Sequence, residues 1–229
     1  MSKLRIYSIS DEYVNYLRSD QQLSGVSDPK KFKRSHTRKY LGVVIQNHNY
    51  KYYIPFSSPK KNDYISLPNG TIKIRNSILP IIRMITHDTQ SGEIELKGTL
   101  KICDMIPVPD SELVPYFIEQ ETDMHYKDII QKEYAFINAN RSMIIKNAQQ
   151  LYMQKTCRDE IFAEKAAPKY LDSTIDFLYA EQKCKEFIKM REKTQEPVMR
   201  KSVKDRLTEA QNQMQKSENH IKIRDDKLR

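Results

Sequence analysis

The chain has 229 residues and a formal net charge of +9. This length allows one well-formed hydrophobic core and a further segment. The excess of Lys and Arg predicts an acidic partner. Nucleic acid fits better than a membrane surface, because the basic residues are not confined to one amphipathic helix and no apolar run is long enough to span a bilayer.

The composition also indicates a compartment. The start of the chain lacks the apolar segment of a signal peptide. Cys103, Cys157 and Cys184 show neither CxxC nor His-paired spacing, so they are predicted to be reduced thiols of a cytoplasmic protein. Asp, Glu and His show no metal-ligand spacing, and with five glycines the sequence has no Gly-rich phosphate loop.

The first predicted elements are a strand and a helix. The run Leu4–Ile9 is β-prone, and Ser10 can cap a helix with an acidic first turn. Tyr13, Tyr16 and Leu17 share one face of that helix. Burial of this face in the core is the default interpretation.

A basic loop is predicted between residues 24 and 39, because no apolar periodicity appears there. Such a run is commonly just solvated. It leads directly into the predicted core strands, so a surface that faces nucleic acid is the alternative. Its candidate RNA-binding residues are Lys30, Lys31, Lys33, Arg34 and His36.

An aromatic hairpin follows, and the rest of the chain is organised around it. Tyr40–Ile45 and Tyr50–Phe56 are apolar runs separated by turn residues, which predicts two paired, buried strands. The second strand must end before or at Pro59, because proline has no N–H to donate to a sheet.

The Ser-Pro-Lys box, Ser57–Lys60, is therefore expected at a strand end. Ser57 and Ser58 supply two hydroxyls, and Lys60 and Lys61 supply two cations. Hydroxyl donors beside a cation suit a phosphate group. An ordinary turn with solvated lysines is the alternative interpretation.

More strands and then helices are predicted beyond the box. The expected strands cover residues 71–74, 78–85 and 93–100, which gives an antiparallel sheet with short loops. From Tyr126 the period becomes helical and continues to about Thr156, roughly 45 Å at about 1.5 Å per residue. A second helix is predicted from Tyr170 to about Met190. Residues 191–229 form a charged, helix-prone tail.

Five motifs occur in a recognisable order: Tyr7–Tyr13, Tyr40–Val44, Phe56–Lys60, Asp104–Val108 and Gln131–Asn138. This ordered set resembles the ToxN/AbiQ family, the endoribonuclease toxins of type III toxin–antitoxin and phage abortive-infection systems. The resemblance covers about residues 1–187, and the Ser-Pro-Lys box is its most specific part. It predicts a domain over residues 1–190, with a tail that has no counterpart.

The resemblance implies an α+β fold in which helices wrap a twisted antiparallel sheet, a partial barrel related to the Kid/MazF toxins, with long C-terminal helices. It implies cleavage of RNA to a 2′,3′-cyclic phosphate without metal or other cofactor. It also implies inhibition by a small repeated RNA, whose pseudoknots fill grooves on the toxin in a closed protein–RNA assembly. The toxin cuts that RNA from its precursor.

The family's active-site pattern maps onto Tyr13, Ser57, Ser58, Lys60 and Phe136. In these roles Lys60 stabilises charge on the phosphorane and the serines hold non-bridging oxygens. Tyr13 orients a phosphate or a 2′-hydroxyl, and Phe136 stacks on a base. Core packing is the alternative for Phe136 on its helix position alone.

The chain departs from the family in two places. Ser57 stands where other members have threonine, and no tyrosine lies between Tyr16 and Tyr40 to match a loop tyrosine of some members. His36 or Arg34 is predicted in that place, and His36 is the candidate proton carrier. The alternatives to a nuclease are a non-catalytic RNA- or DNA-binding module and a helical interaction protein.

Neutralising Lys30, Lys31, Lys33 and Arg34 together is expected to weaken binding of the antitoxin RNA. The logarithm of affinity should also depend less steeply on the logarithm of salt, by roughly 0.7–0.9 for each phosphate that these side chains no longer neutralise. Titration of a cleavage-inactive variant with the RNA at several salt concentrations measures both quantities. Unchanged affinity and slope would show that the loop is merely solvated.

Overall fold

The computed structural model describes residues 4–27, 36–47, 49–87 and 92–194, which form an α+β fold. The chain divides into two units, residues 1–184 and 185–229. The first unit holds the sheet and most of the described helices, and in the second residues 185–194 are helical. None of the described helices is long and apolar enough to cross a membrane.

Most of the described strands belong to one antiparallel sheet. In chain order the strands are β1 (Arg5–Ile9), β2 (Lys39–Asn47), β3 (Tyr50–Ser57), β4 (Tyr64–Ser66), β5 (Ile72–Ile74), β6 (Ile81–His87), β7 (Ile94–Lys101), β8 (Ile106–Pro107) and β9 (Leu113–Pro115). The sheet has the order β6-β7-β3-β2-β1-β9, with β8 also beside β3, while β4 and β5 pair with each other. The predicted antiparallel α+β fold is confirmed. Closure into a Kid/MazF-like partial barrel stays a prediction.

The predicted hairpin is the centre of this sheet. Strands β2 and β3 pair antiparallel with Leu41 opposite Ile54, and both side chains are fully buried. Ser10 caps the first helix as predicted, since its hydroxyl accepts a hydrogen bond from the Tyr13 amide at 3.2 Å. The strand predicted over residues 78–85 lies instead at β6, because Pro80 precedes the ladder rather than joining it.

The helices of the first unit are α1 (Asp11–Ser19), α2 (Met124–Ala139), α3 (Arg141–Thr156) and α4 (Arg158–Ile161), and residues 177–184 are also helical. The prediction of one helix from Tyr126 to Thr156 is wrong, because α2 ends at Ala139 and α3 begins at Arg141, with Asn140 between them. The Asn140 side-chain amide donates to the Phe136 carbonyl at 2.9 Å. A short amide side chain that bonds to the local backbone commonly ends a helix in this way.

The second predicted helix also begins later than expected, at residue 177 rather than at Tyr170. The Thr174 hydroxyl donates to the Tyr170 carbonyl at 2.8 Å, which keeps this segment in a separate turn. The Asp176 carboxylate accepts from the Tyr179 amide at 3.0 Å and caps the helix that follows.

Helix α2 packs on β6 and β7 through a face that contains one buried acid. Glu133 lies between Ile130 and Ile137 on this face, and only 5% of it is exposed. Its carboxyl oxygen rests on the backbone of Gly98 in β7, where any side chain would overlap it. The glycine therefore provides the space that this carboxyl occupies.

The Glu133 carboxyl makes none of the hydrogen bonds or ion pairs found among the described residues. Its burial away from water raises its pKa to about 8. At neutral pH the side chain is therefore mostly a protonated carboxylic acid. An ionised carboxylate at this position would be strongly disfavoured.

Glu133→Gln is expected to become more stable relative to the wild type as the pH rises from about 5 to about 8. Above the ordinary glutamate pKa of 4.5 and below about 8, the folded wild type holds a proton that the unfolded chain releases. The wild type therefore loses unfolding free energy as the pH rises through this window, by at most about 1.4 kcal/mol per pH unit. Glutamine has no proton to lose. Urea unfolding of both proteins across this range measures the difference.

The matched control is Glu112→Gln. Glu112 is also 5% exposed, but its carboxylate accepts a hydrogen bond from the Ser10 hydroxyl. Glu112→Gln therefore controls for the loss of a buried carboxyl group that has a hydrogen-bond partner. A constant stability difference between Glu133→Gln and the wild type across the pH range would contradict a protonated Glu133.

Candidate active site

A cavity of about 360 Å³ lies where the end of β3 meets helix α2 and the segment that leads into β2. It is called the serine cavity below. Its polar lining includes His36, Arg38, Ser57, Ser58, Lys97, Tyr126 and Glu133. Hydroxyls, cations, an imidazole and a carboxyl thus converge on one opening, although they come from distant parts of the sequence.

The two serines lie at the strand end, as the sequence predicts. Ser57 is the last residue of β3 and pairs with Thr99 of β7. The Thr99 hydroxyl donates to the Ser57 carbonyl at 3.3 Å, and Ser57 is only 4% exposed. Ser58 is exposed, one step beyond the sheet. One hydroxyl is therefore held inside the serine cavity and the other lies at its mouth.

A buried ion pair fixes the turn that follows. The Lys60 backbone amide donates to the Asp63 carboxylate at 2.9 Å, and the Arg83 guanidinium binds that same carboxylate at 3.0 Å. Both side chains of the ion pair are almost fully buried. Arg83 also donates to the Asn76 carbonyl at 2.7 Å. Charge-assisted bonds of this kind are strong and directional, so the turn holds the Lys60 backbone in one place.

Lys60 and Lys61 are both exposed, and neither lines the serine cavity. Lys60 is adjacent to Pro59, which does line it. Sequence reasoning missed the contribution of Asp63 and Arg83. The spacing of an acid three residues after Lys60 is a local capping signal that could have indicated the turn.

His36 is held by two neighbours at the edge of the cavity. Its Nε2 atom lies 3.1 Å from the Asp123 carboxylate, and its ring stacks on Tyr126 with a centroid distance of 3.9 Å. Hydrogen bonds from the Tyr126 amide and from His36 lower the pKa of Asp123. A fixed carboxylate beside an imidazole orients the ring. Tyr126, the tyrosine that lines this cavity, belongs to α2. The basic loop, where some family members have a tyrosine, contributes His36 instead.

Two cations of the basic loop have structural partners. The Arg38 guanidinium is buried and donates to the Phe56 carbonyl. The Lys39 ammonium donates to the Ser8 hydroxyl at 3.1 Å and lies over the Tyr116 ring. These side chains join the start of β2 to its neighbours. The candidate residues Lys30, Lys31, Lys33 and Arg34 lie outside the described residues.

Phe136 is half-buried and lines a neighbouring groove of about 490 Å³ rather than the serine cavity. His87 and Lys132 line the same groove. Lys97 lines both the groove and the serine cavity, and its ammonium pairs with Glu95. Lys97 therefore borders both the groove that contains Phe136 and the cavity that contains the serines. The regular alternation of β7 in the sequence did not indicate that Lys97 lines a cavity.

Tyr13 lies in the core, so the structure does not bring it together with the box. Its side chain is fully buried, and its hydroxyl donates to the Pro107 carbonyl at 2.6 Å. Burial raises the pKa of Tyr13 well above its usual range. Its predicted role in orienting a phosphate therefore does not match this position. The position agrees with the other interpretation, that the face of α1 with Tyr13 packs in the core.

Glu133 is the largest omission of the sequence interpretation. It lines the serine cavity from α2, opposite the end of β3. An acid spaced three residues from Ile130 and four from Ile137, inside an apolar helical stripe, was the signal available in the sequence. Among the described residues, no group of three or more His, Cys, Asp or Glu side chains is placed to hold a metal ion.

Solved structures of other proteins share this fold, and two of them match most of this chain. One comes from a bacterial type III toxin–antitoxin system in which a non-coding RNA pseudoknot selectively inhibits the toxin. It has a TM-score of 0.61, is 26% identical, and the match covers 81% of this chain and 98% of that one. The other is AbiQ, a lactococcal anti-phage endoribonuclease, with a TM-score of 0.60, 25% identity and coverage of 82% and 99%.

Sequence comparisons agree with the structural ones. Endoribonuclease AbiQ of Lactococcus lactis subsp. lactis is 27% identical over 182 residues, which are 79% of this chain and 87% of AbiQ. Endoribonuclease ToxN of Pectobacterium atrosepticum is 26% identical over 196 residues, 84% of this chain and 99% of that protein. A family model for toxin ToxN of type III toxin–antitoxin systems matches residues 5–185. Because this match spans most of the chain, the chain belongs to the ToxN family.

Proposed function

We propose that the chain is an endoribonuclease toxin that cleaves RNA to a 2′,3′-cyclic phosphate and a 5′-hydroxyl. The observation that carries the proposal is the convergence of Ser57, Ser58 and His36 on one cavity, next to the exposed cation Lys60. Cyclising cleavage needs positive charge and donors at the phosphate and a base at the 2′-hydroxyl. The activity named for the relatives supports the same reaction.

Each proposed group has one role. Ser57 and Ser58 donate hydrogen bonds to the non-bridging oxygens, and Lys60 stabilises the charge that grows on the phosphorane. His36 takes the proton of the 2′-hydroxyl, since Asp123 can stabilise the imidazolium that results. Phe136 offers a stacking face for a nearby base in the adjoining groove.

The proposed regulator is a small repeated RNA with pseudoknot structure, as in the toxin–antitoxin system of a structural neighbour. Its inhibition is occlusion, because an RNA that lies across the box covers the residues that act on RNA. The toxin cuts the precursor of this RNA into repeats and forms a closed protein–RNA assembly with them in the cytoplasm. When phage infection releases the toxin from this antitoxin RNA, the toxin can cleave other RNAs.

Lys60→Ala is expected to reduce the cleavage rate about 10²–10³-fold, because the transition state loses one of the groups that stabilise its charge. The protein should still fold, since the backbone amide of residue 60, which donates to the Asp63 carboxylate, is still present after the substitution. A gel assay of a purified transcript measures the rate, and a melting curve checks the fold.

Lys61→Ala is the matched control for this variant. Lys61 is an adjacent exposed cation, so its removal should raise KM through weaker RNA binding and leave kcat nearly unchanged. A folded Lys60→Ala protein that cleaves at the wild-type rate would contradict the assignment. A non-catalytic RNA-binding module would then be the better description.

Cleavage is expected to continue in excess EDTA, because the proposed chemistry uses side chains for charge stabilisation and proton transfer. The assay compares one transcript with EDTA and with added magnesium, and identifies the 3′ end of the product. The 2′,3′-cyclic phosphate should form at similar rates in both conditions. Complete loss of activity on chelation, restored by magnesium, would show that a metal ion takes part.

A further inference from the structure

We propose that Glu133 is the general acid of the cleavage reaction and gives its proton to the 5′-oxygen that leaves. The proposal rests on the ribonuclease function above and deepens it, because that function left the leaving group without a proton donor. A 5′-alkoxide is a poor leaving group, so a positioned acid is worth a large rate factor.

The position of Glu133 is the first support. It lies on the buried face of α2, it lines the serine cavity, and only 5% of it is exposed. A glycine in the facing strand, Gly98, leaves the space for its carboxyl oxygen. Among the described residues this carboxyl has no hydrogen-bond or ion-pair partner, and it lies against a glycine and lines a polar cavity. It is therefore placed to act on a molecule that enters the cavity.

The surroundings determine which form of the carboxyl is present. The charged and titratable groups that line the same cavity are His36, Arg38, Lys39, Lys97 and Tyr126. The Met84 methyl group of β6 lies near Gly98, beside the Glu133 carboxyl. Arg38 and Lys97 are already engaged by the Phe56 carbonyl and by Glu95. Burial then dominates and raises the Glu133 pKa to about 8.

Bound RNA strengthens this preference. A phosphate anion in the cavity would repel a carboxylate, so it further favours the protonated acid. The protonated form is also the only one that can donate to an oxygen. Glu133 thus contributes no negative charge when the substrate binds and has a proton available when the bond breaks.

Atoms and charge balance in the proposed step. The 2′-oxygen forms a bond to phosphorus while His36 takes its proton. The bond between phosphorus and the 5′-oxygen breaks, and its electron pair stays on that oxygen, which takes the proton of Glu133. The products are the cyclic phosphate, the 5′-hydroxyl, an imidazolium and a carboxylate. The last two return to their starting forms by exchange with solvent water.

The test compares ordinary RNA with RNA that carries sulfur in place of the 5′-bridging oxygen at the cleaved linkage. A thiolate leaves without help from an acid, because a thiol has a pKa of only about 8.5. Glu133→Gln is expected to cleave ordinary RNA about 10²–10⁴-fold more slowly than the wild type. On the sulfur substrate it should come within about tenfold of the wild type.

Two comparisons make the result specific. Lys60→Ala should be slow on both substrates, because it acts on the phosphorane and not on the leaving group. Glu112→Gln removes an equally buried acid outside the cavity and should match the wild type on both. If Glu133→Gln fails to fold, Gly98→Ala serves instead, because its methyl group displaces the Glu133 carboxyl while the acid remains.

A pH profile gives a second readout. The wild-type kcat/KM should fall as the pH rises past about 8, and Glu133→Gln should lack this limb. In the pH profile of kcat the corresponding fall should lie at higher pH, because bound RNA favours the protonated form of Glu133. A limb that reflected only loss of the folded protein would appear equally on the sulfur substrate, whereas an acid role confines it to ordinary RNA.

Two results would overturn the proposal while the wild type remains active. One is wild-type cleavage of ordinary RNA by Glu133→Gln. The other is an equal loss on both substrates, which would make Glu133 a structural residue. A wild-type protein that cleaves neither substrate would instead overturn the proposed ribonuclease function, and this inference with it.

Discussion

The position of β3 in the middle of the sheet is the constraint on which the rest of the structure depends. One edge of β3 pairs with β2, and the other pairs first with β8 and then with β7. Its side chains are buried along most of its length, so its register cannot slip without exposing the core. β3 tolerates Pro55 within its pairing with β2 and ends at Ser57, two residues before Pro59, so the Ser-Pro-Lys box begins where β3 ends.

This constraint has a chemical consequence at the box. A strand end next to a proline would otherwise be a mobile turn, but the buried pair of Asp63 and Arg83 holds the backbone at Lys60. Removing one member of such a pair leaves an uncompensated charge, which commonly costs about 3–5 kcal/mol. The backbone position of Lys60 is thus fixed by two residues that take no direct part in the proposed reaction.

The serine cavity also shows a conflict between stability and chemistry. Glu133 is buried and has no hydrogen-bond or ion-pair partner among the described residues, so it lowers stability as the pH approaches its raised pKa. An apolar residue between Ile130 and Ile137 would pack without that cost. Gly98 adds to the cost, since glycine weakens a strand interior. Two residues that each lower stability, in contact with each other beside one cavity, are typical of a functional site.

The sequence by itself determined the sheet-forming runs, the Ser10 cap, the strand end at the serines and the family. These depend on local periodicity and on residues with restricted backbones, which act over a few positions. Only the tertiary structure decided that Tyr13 lies in the core, that Phe136 lines a separate groove and that Glu133 joins the serines. Burial and convergence of this kind depend on which distant segments pack together, and local pattern does not carry that information.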